Sequence, residues 1–196
     1  MIAIVEYDAG NVRSVINALK RCGVEEYSLT SDPSTLSSSE KVILPGVGDA
    51  SVALSSLRAI GLDAVIVGLT QPVLGICVGM QAMCSWTEEG GAAGLGIFGT
   101  PVKRFCLEDP SLKVPHMGWN TVSDLLSPLF TGFDSDPFVY YVHSFYAPVC
   151  PDTIGVTVHG IPFSAALRKD NFYGTQFHPE KSGKVGEQIL KNFLAL

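Results

Sequence analysis

Pro72-Val73-Leu74-Gly75-Ile76-Cys77-Val78-Gly79-Met80-Gln81 changes character in its middle. Pro72 to Ile76 is a short apolar run that reads as a buried strand, and Met80 to Trp86 has the composition of a helix start. Cys77 then falls on a strand-to-helix turn between Gly75 and Gly79, where the missing Cβ atoms let the chain bend sharply. Glycine at two positions on either side of a central residue is the pattern of a nucleophile elbow, here with a thiol where hydrolases carry serine. At such a turn the sulfur is lifted clear of the sheet beside a helix N-terminus, whose dipole and free N–H groups favour a thiolate. A cysteine among apolar residues is also a common inert core residue, so the elbow alone leaves both readings open.

A second segment tips the balance. Gly174-Thr175-Gln176-Phe177-His178-Pro179-Glu180-Lys181-Ser182 places a base and a carboxylate two residues apart. In extended chain such positions face the same side, with Pro179 stiffening the backbone between them. His178 would take the proton of Cys77 and later deliver it to a leaving amine. Glu180 would fix the imidazole tautomer and stabilise its charged form. The competing reading is a surface loop with an incidental His and Glu.

Lys41-Val42-Ile43-Leu44-Pro45-Gly46-Val47-Gly48-Asp49 is another strand running into a glycine-rich turn. Such turns expose backbone N–H groups toward an anion. The Pro45 to Gly48 turn, with Gly46 and Gly48 shaping it, reads as an oxyanion strand, and the N–H groups of Val47 and Val78 as donors to the oxygen that forms when a thiolate attacks a carbonyl.

Composition bounds the alternatives. The chain has 196 residues, 46% of them hydrophobic, enough for one sizeable core, and a single domain over 1–196 is the expectation. A net charge of −6 and the absence of a Lys/Arg cluster argue against a nucleic-acid partner. Apolar stretches such as Ala64 to Leu69 and Pro72 to Met83 are too short or too interrupted to span a membrane. Met1 is followed directly by the apolar run Ile2 to Val5, with no basic region or cleavage site, so a cytoplasmic location is expected. The five cysteines form no C-x-x-C pair, which offers neither a disulfide framework nor a zinc site. Cys22, Cys84, Cys106 and Cys150 read as packing or surface residues.

The order of elements is that of an α/β protein with a mostly parallel open sheet flanked by helices. Strand 2–7 leads into a helix over 12–22 with Val12, Val15, Ile16 and Leu19 on one face. Glu26 to Thr30 and Lys41 to Leu44 are strands, 31–40 is loop with one helical turn at Pro33 to Leu36, and a helix covers 49–57. From Gly90 to Ala147 short alternating runs, Gly94 to Phe98, Val102 to Phe105 and Val139 to Ser144, predict an antiparallel portion. Pro162 to Arg168 and Phe172 to Phe177 flank a hairpin turn at Asp170-Asn171, and 186–196 reads as a closing helix.

Together the elbow, the His178-Pro179-Glu180 segment and the Pro45 to Gly48 turn resemble the class I, triad-type glutamine amidotransferases, with a flavodoxin-like fold. Tyr7-Asp8-Ala9-Gly10-Asn11, His116-Met117-Gly118-Trp119-Asn120 and Tyr140-Tyr141-Val142-His143-Ser144-Phe145 narrow the resemblance to the glutaminase subunits of imidazole glycerol phosphate synthase, a family of histidine biosynthesis. This resemblance implies hydrolysis of glutamine through Cys77, His178 and Glu180, without metal or organic cofactor. It also implies substrate contacts from Gln81, Glu89 and the backbone of Ser144 and Phe145, although Glu88 and Glu89 read equally well as a solvated turn. The implied partner is a cyclase subunit, a (β/α)8 barrel that forms a heterodimer with the glutaminase and receives its ammonia. Trp119, Asn120, Tyr140 and Lys181 are the implied interface, against the alternative of a buried core Trp. Asp49, Val78 and Phe145 depart from the residues usual in the family. Another amidotransferase with a different acceptor, or a non-catalytic module on the same scaffold, remain as competing readings.

Overall fold

The computed structural model describes residues 1–7 and 11–196. Asp8, Ala9 and Gly10, the centre of the Tyr7–Asn11 motif, lie outside the described residues. The strands are β1 (Ile2–Val5), β2 (Tyr27–Thr30), β3 (Lys41–Leu44), β4 (Val73–Ile76), β5 (Trp86–Thr87), β6 (Ala92–Ala93), β7 (Lys103–Arg104), β8 (His116–Thr121), β9 (Phe138–His143), β10 (Phe145–Tyr146), β11 (Thr153–His159), β12 (Ile161–Lys169) and β13 (Phe172–Thr175). The helices are α1 (Val12–Arg21), α2 (Pro33–Ser38), α3 (Ala50–Ala59), α4 (Leu62–Val67), α5 (Val78–Met83) and α6 (Gly183–Leu194).

Seven strands form one sheet in the order β11-β12-β13-β4-β3-β1-β2. From β2 to β13 the neighbours are parallel; β13 and β12 are antiparallel across the hairpin turn expected at Asp170-Asn171, and β12 and β11 are antiparallel through a strand at Thr153–His159 that the sequence reading did not include. The inner parallel strands β1, β3, β4 and β13 are buried on both faces, and the period of two divides their side chains between two cores. Ile2, Ile4, Ile43 and Leu74 meet Leu19 of α1 and Ile189 and Phe193 of α6 on one face. Ala3, Val5, Val42, Leu44 and Val73 meet Leu57, Leu62 and Ile66 on the other. Chain order reverses between β1 and β3, the point at whose carboxyl end sheets of this kind bind ligands, and the parallel strands β4 and β13 end on the same side. Among the described residues no helix is long and apolar enough to cross a membrane.

Several local expectations need correction. The elbow helix starts at Val78 rather than Met80 and stops at Met83. Segment 94–98 is not a strand: the N–H groups of Leu95, Gly96 and Phe98 bond the carbonyls of Ala82, Cys84 and Met83 at 2.8–3.0 Å. These are the orphan acceptors of a helix C-terminus, so the loop terminates α5, and Trp86 leaves to pair with Ala93. The apolar stretch read at Ala64 to Leu69 overlaps the short helix α4, which lies between Gly61, at φ 71°, and Gly68. The turn at Pro33 extends to Ser38, started by an Asp32 side chain that accepts from Thr35 N at 2.8 Å. Asp49 does the same for α3, accepting from the N–H groups of Ser51 at 2.7 Å and Val52 at 3.1 Å. That is the structural use of this departure from the family pattern.

Candidate active site

Three chain segments converge at the C-terminal ends of β3, β4 and β13. Cys77 follows β4 directly and sits at φ 52° and ψ −107°, a conformation that costs a non-glycine residue strain energy and is held by its neighbours. Its own N–H bonds Thr175 O at 2.7 Å, and its carbonyl accepts from Gln81 N at 3.0 Å. The bend brings α5 hard against the end of β3. A Cβ on Gly46 would lie 2.5 Å from Gly79 N, and a Cβ on Gly79 would land on the Leu44 carbonyl. Both glycines are therefore required by backbone contact, and that contact sets the Pro45 to Gly48 turn beside the first N–H groups of α5. Gly48 sits at φ 92°. The Tyr7 hydroxyl donates to the Pro45 carbonyl and pins the same turn from β1. Burial, with Cys77 nearby, raises the pKa of Tyr7, so that the phenol keeps its proton.

His178 comes to Cys77 by a route unlike the extended stretch expected. The strand ends at Thr175, and His178 N bonds Tyr140 O of β9 at 2.9 Å. Pro179–Lys181 then forms a 3-10 turn. This turn carries Glu180 back under the imidazole, where Glu180 Oε1 lies 2.8 Å from His178 Nδ1. Both side chains are about 1% exposed. Burial disfavours the charged imidazole, but the Cys77 sulfur and the Glu180 carboxylate outweigh it and push the His178 pKa up to about 10. Among the described residues His178 Nε2 has no hydrogen bond of ordinary geometry, which leaves that nitrogen for proton exchange.

A cleft of about 530 Å³ lies over these groups, lined by Val47, Gly48, Cys77, Val78, Gln81, Glu89, Ser144, Phe145, His178 and Lys181. Gly46 lies under it as packing, and Glu180 is buried below the imidazole. Glu89 is not a freely solvated turn residue: its Oε2 accepts from Ala50 N at 2.7 Å at the start of α3. Partial burial raises its pKa against that N–H. Gln81 is buried, and its NH2 group donates to Phe145 O and to Gln176 Oε1, each at 3.0 Å. What remains of this amide for a ligand is its oxygen, an acceptor.

Trp119, Asn120 and Tyr140 lie outside the cleft on the β8–β9 ribbon. Trp119 is 49% exposed, which excludes the buried-core reading. It stacks on the exposed Phe138 at 6.1 Å and meets Tyr140 edge-on at 6.0 Å, and Lys181 Nζ lies 5.9 Å from the Tyr140 ring centre. Lys181 thus belongs both to this patch and to the cleft rim.

Residues without a role in the sequence reading complete the interior. His143 lines the cleft, its Nδ1 lies 2.7 Å from Phe145 O, and its Nε2 lies 3.0 Å from Nδ1 of His116. Burial lowers the pKa of His143 to about 3 and that of His116 to about 4, so both rings are neutral. Gln176 is fully buried, with Nε2 3.6 Å from the Cys77 sulfur. All three stand inside the segments that carry the family resemblance, yet nothing in their spacing announces a mutual contact.

A strained thiol on an elbow, a buried His–Glu pair and a glycine turn stand together on an open α/β sheet, an arrangement suited to nucleophilic attack on an amide. A family model described as glutamine amidotransferase class-I matches residues 3–196, and the chain belongs to that family. Within it, the chain is 57% identical over 195 residues to the imidazole glycerol phosphate synthase subunit HisH of Bacteroides fragilis (strain YCH46), covering 100% of this chain and 99% of that one. The HisH subunit of Yersinia pestis is 42% identical over 197 residues, with the same coverage. Among solved structures, PurLQS from Thermotoga maritima superposes with a TM-score of 0.70 at 20% identity, over 99% of this chain and 97% of that one. The glutaminase domain of Trypanosoma brucei CTPS superposes with a TM-score of 0.62 at 16% identity, over 99% and 93%. At those identities the superpositions speak for the fold alone.

Proposed function

We propose that this HisH-family glutaminase subunit hydrolyses the side-chain amide of glutamine through Cys77, His178 and Glu180. Cys77 attacks the carboxamide carbon, and the N–H groups of Val47 and Val78 receive the oxyanion, with Gly46 and Gly48 shaping the turn. The C–N bond breaks as His178 protonates the departing ammonia, leaving a glutamyl thioester on the sulfur. His178 then removes a proton from water, the thioester is hydrolysed, and glutamate leaves with the thiol restored. Glu89 and the Gln81 oxygen offer acceptors to the substrate ammonium, and the backbone of Ser144 and Phe145 meets its carboxylate end.

The protein is a subunit of a synthase and so has a partner subunit. We assign that partner as a (β/α)8 cyclase, joined as a heterodimer at Trp119, Asn120, Tyr140 and Lys181. It takes the ammonia and makes imidazole glycerol phosphate and aminoimidazole carboxamide ribotide, in the cytoplasm, with 1–196 serving as one glutaminase domain. The observation that carries the reading is the buried His178–Glu180 pair opening onto the strained Cys77. The exposed Trp119 favours this acceptor over an amidotransferase in which the residue would be core.

The test is glutamate release from glutamine by the chain alone, then with the cyclase and its nucleotide ligand. Weak activity alone and strong stimulation in the complex are expected. High activity indifferent to the partner would overturn the coupling, and hydrolysis retained by Cys77→Ala would overturn the nucleophile.

A further inference from the structure

We infer that Gln176 is a further catalytic residue of this site, a side-chain amide whose N–H donates to the Cys77 sulfur and favours its anionic form before substrate arrives. This rests on the reading of Cys77 as nucleophile.

The two ends of a glutamine amide differ in chemistry but hardly in shape, so the donor end must be fixed by a neighbour of known polarity. Phe145 O supplies it, because a backbone carbonyl only accepts. The Gln81 group 3.0 Å from it is therefore NH2. That same NH2 lies 3.0 Å from the near end of the Gln176 amide, which must be the oxygen. The far end of Gln176 is then NH2, and it lies 3.6 Å from the Cys77 sulfur. Reversing either amide would set two donors or two acceptors against each other in a buried site.

The reference carbonyl is itself held from a second side. His143 Nδ1 lies 2.7 Å from Phe145 O and must donate, so the Nε2 of this neutral ring accepts from His116 Nδ1 at 3.0 Å. His116 Nε2 is left to accept from Asn120 Nδ2 at 3.3 Å. Gln176 is also anchored by its backbone, whose N–H bonds Ala165 O at 2.8 Å. It is fully buried, so its amide is desolvated whether or not the sulfur carries charge. An N–H already aimed at the sulfur favours the anion without reorganisation. His178 supplies the proton exchange, while Gln176 supplies a fixed dipole that keeps its direction through both halves of the reaction.

The test is alkylation of the full chain by iodoacetamide at pH 7, followed at Cys77 peptide by peptide because Cys22, Cys84, Cys106 and Cys150 are also free thiols. Gln176→Glu keeps the acceptor for Gln81 and replaces the donor with an oxygen; Gln176→Met removes both. Alkylation of Cys77 is expected to slow about threefold in Gln176→Met, since a smaller thiolate fraction is partly offset by a more nucleophilic sulfur, and further in Gln176→Glu. The kcat for glutamine falls about tenfold in both, with KM little changed. A residue that only filled space would loosen the site when replaced and expose the buried sulfur, which speeds alkylation. An unchanged or faster rate at Cys77 in either variant that retains a cooperative melt overturns the proposal. Alkylation needs no glutamine, so this outcome is separate from the Cys77→Ala test of the nucleophile.

Discussion

His178 Nδ1 lies 2.8 Å from Glu180 Oε1, and the two side chains meet under the cleft with about 1% exposure each. A buried carboxylate in that position holds the proton on Nδ1 and turns Nε2 to the site, so that proton exchange runs through Nε2 alone. Glu180→Gln replaces one acceptor with an NH2 group that can select the other tautomer. The kcat for glutamine is expected to fall on the order of 10²–10⁴-fold with a nearly unchanged KM. A loss below about threefold would remove Glu180 from the catalytic unit.

The pH dependence of stability follows from the same pair. Burial opposes the charged imidazole, and the Cys77 sulfur and the Glu180 carboxylate outweigh it, so folding raises the His178 pKa from 6.5 to about 10. A base raised on folding stabilises the native state in full below pH 6.5, and that contribution is lost as the pH climbs through 10. The difference in melting temperature between the protein and His178→Gln is therefore largest near pH 6 and narrows steadily toward pH 10. A gap that stays constant across that window would show that His178 does not bind its proton more tightly in the fold.

Gly79 is a steric requirement. A Cβ there meets the Leu44 carbonyl, whereas a Cβ on Gly99 meets nothing within 4 Å. Gly79→Ala is expected to lower Tm by about 5–10 °C and to depress glutamine turnover by moving the Pro45 to Gly48 turn. Gly99→Ala, measured by the same calorimetric scan, should melt within about 2 °C of the parent.

Trp119 and Phe138 are about half exposed and stacked on each other. Trp119→Ala should weaken association with the proposed cyclase partner about 30-fold, as for an interface anchor. The Tm of the isolated chain should change little, because the ring contributes little to the core. Titration of the two subunits by calorimetry reads the first, and a melt reads the second. Undiminished affinity would move the interface elsewhere.

Much of this architecture is legible in the order of residues. Runs such as Lys41 to Leu44 and Pro72 to Ile76 are short, apolar and bounded by glycine or proline, and a central parallel strand admits little else. The elbow is legible because a nucleophile at a strand-to-helix turn needs glycines at defined offsets. Helix α4 escapes because six residues between Gly61 and Gly68 hold too few turns to show a period. Segment 94–98 misleads because its alternation matches a strand, while its N–H groups are spent on the last carbonyls of α5. The His178–Glu180 contact was expected from an extended chain, and a 3-10 turn makes it instead.

The sequence by itself determined the α/β class, the elbow at Cys77 and the residue types of the site, since these depend on local periodicity, backbone permissiveness and side-chain chemistry. Only the tertiary structure decided that Gln81 turns its NH2 group into the protein, that Gln176 meets the Cys77 sulfur, and that Trp119 stands in the open. Each of these depends on which groups from distant segments face one another. The polarity of an amide or the tautomer of a histidine is set by the partner across the gap, such as the Phe145 carbonyl, rather than by its neighbours along the chain.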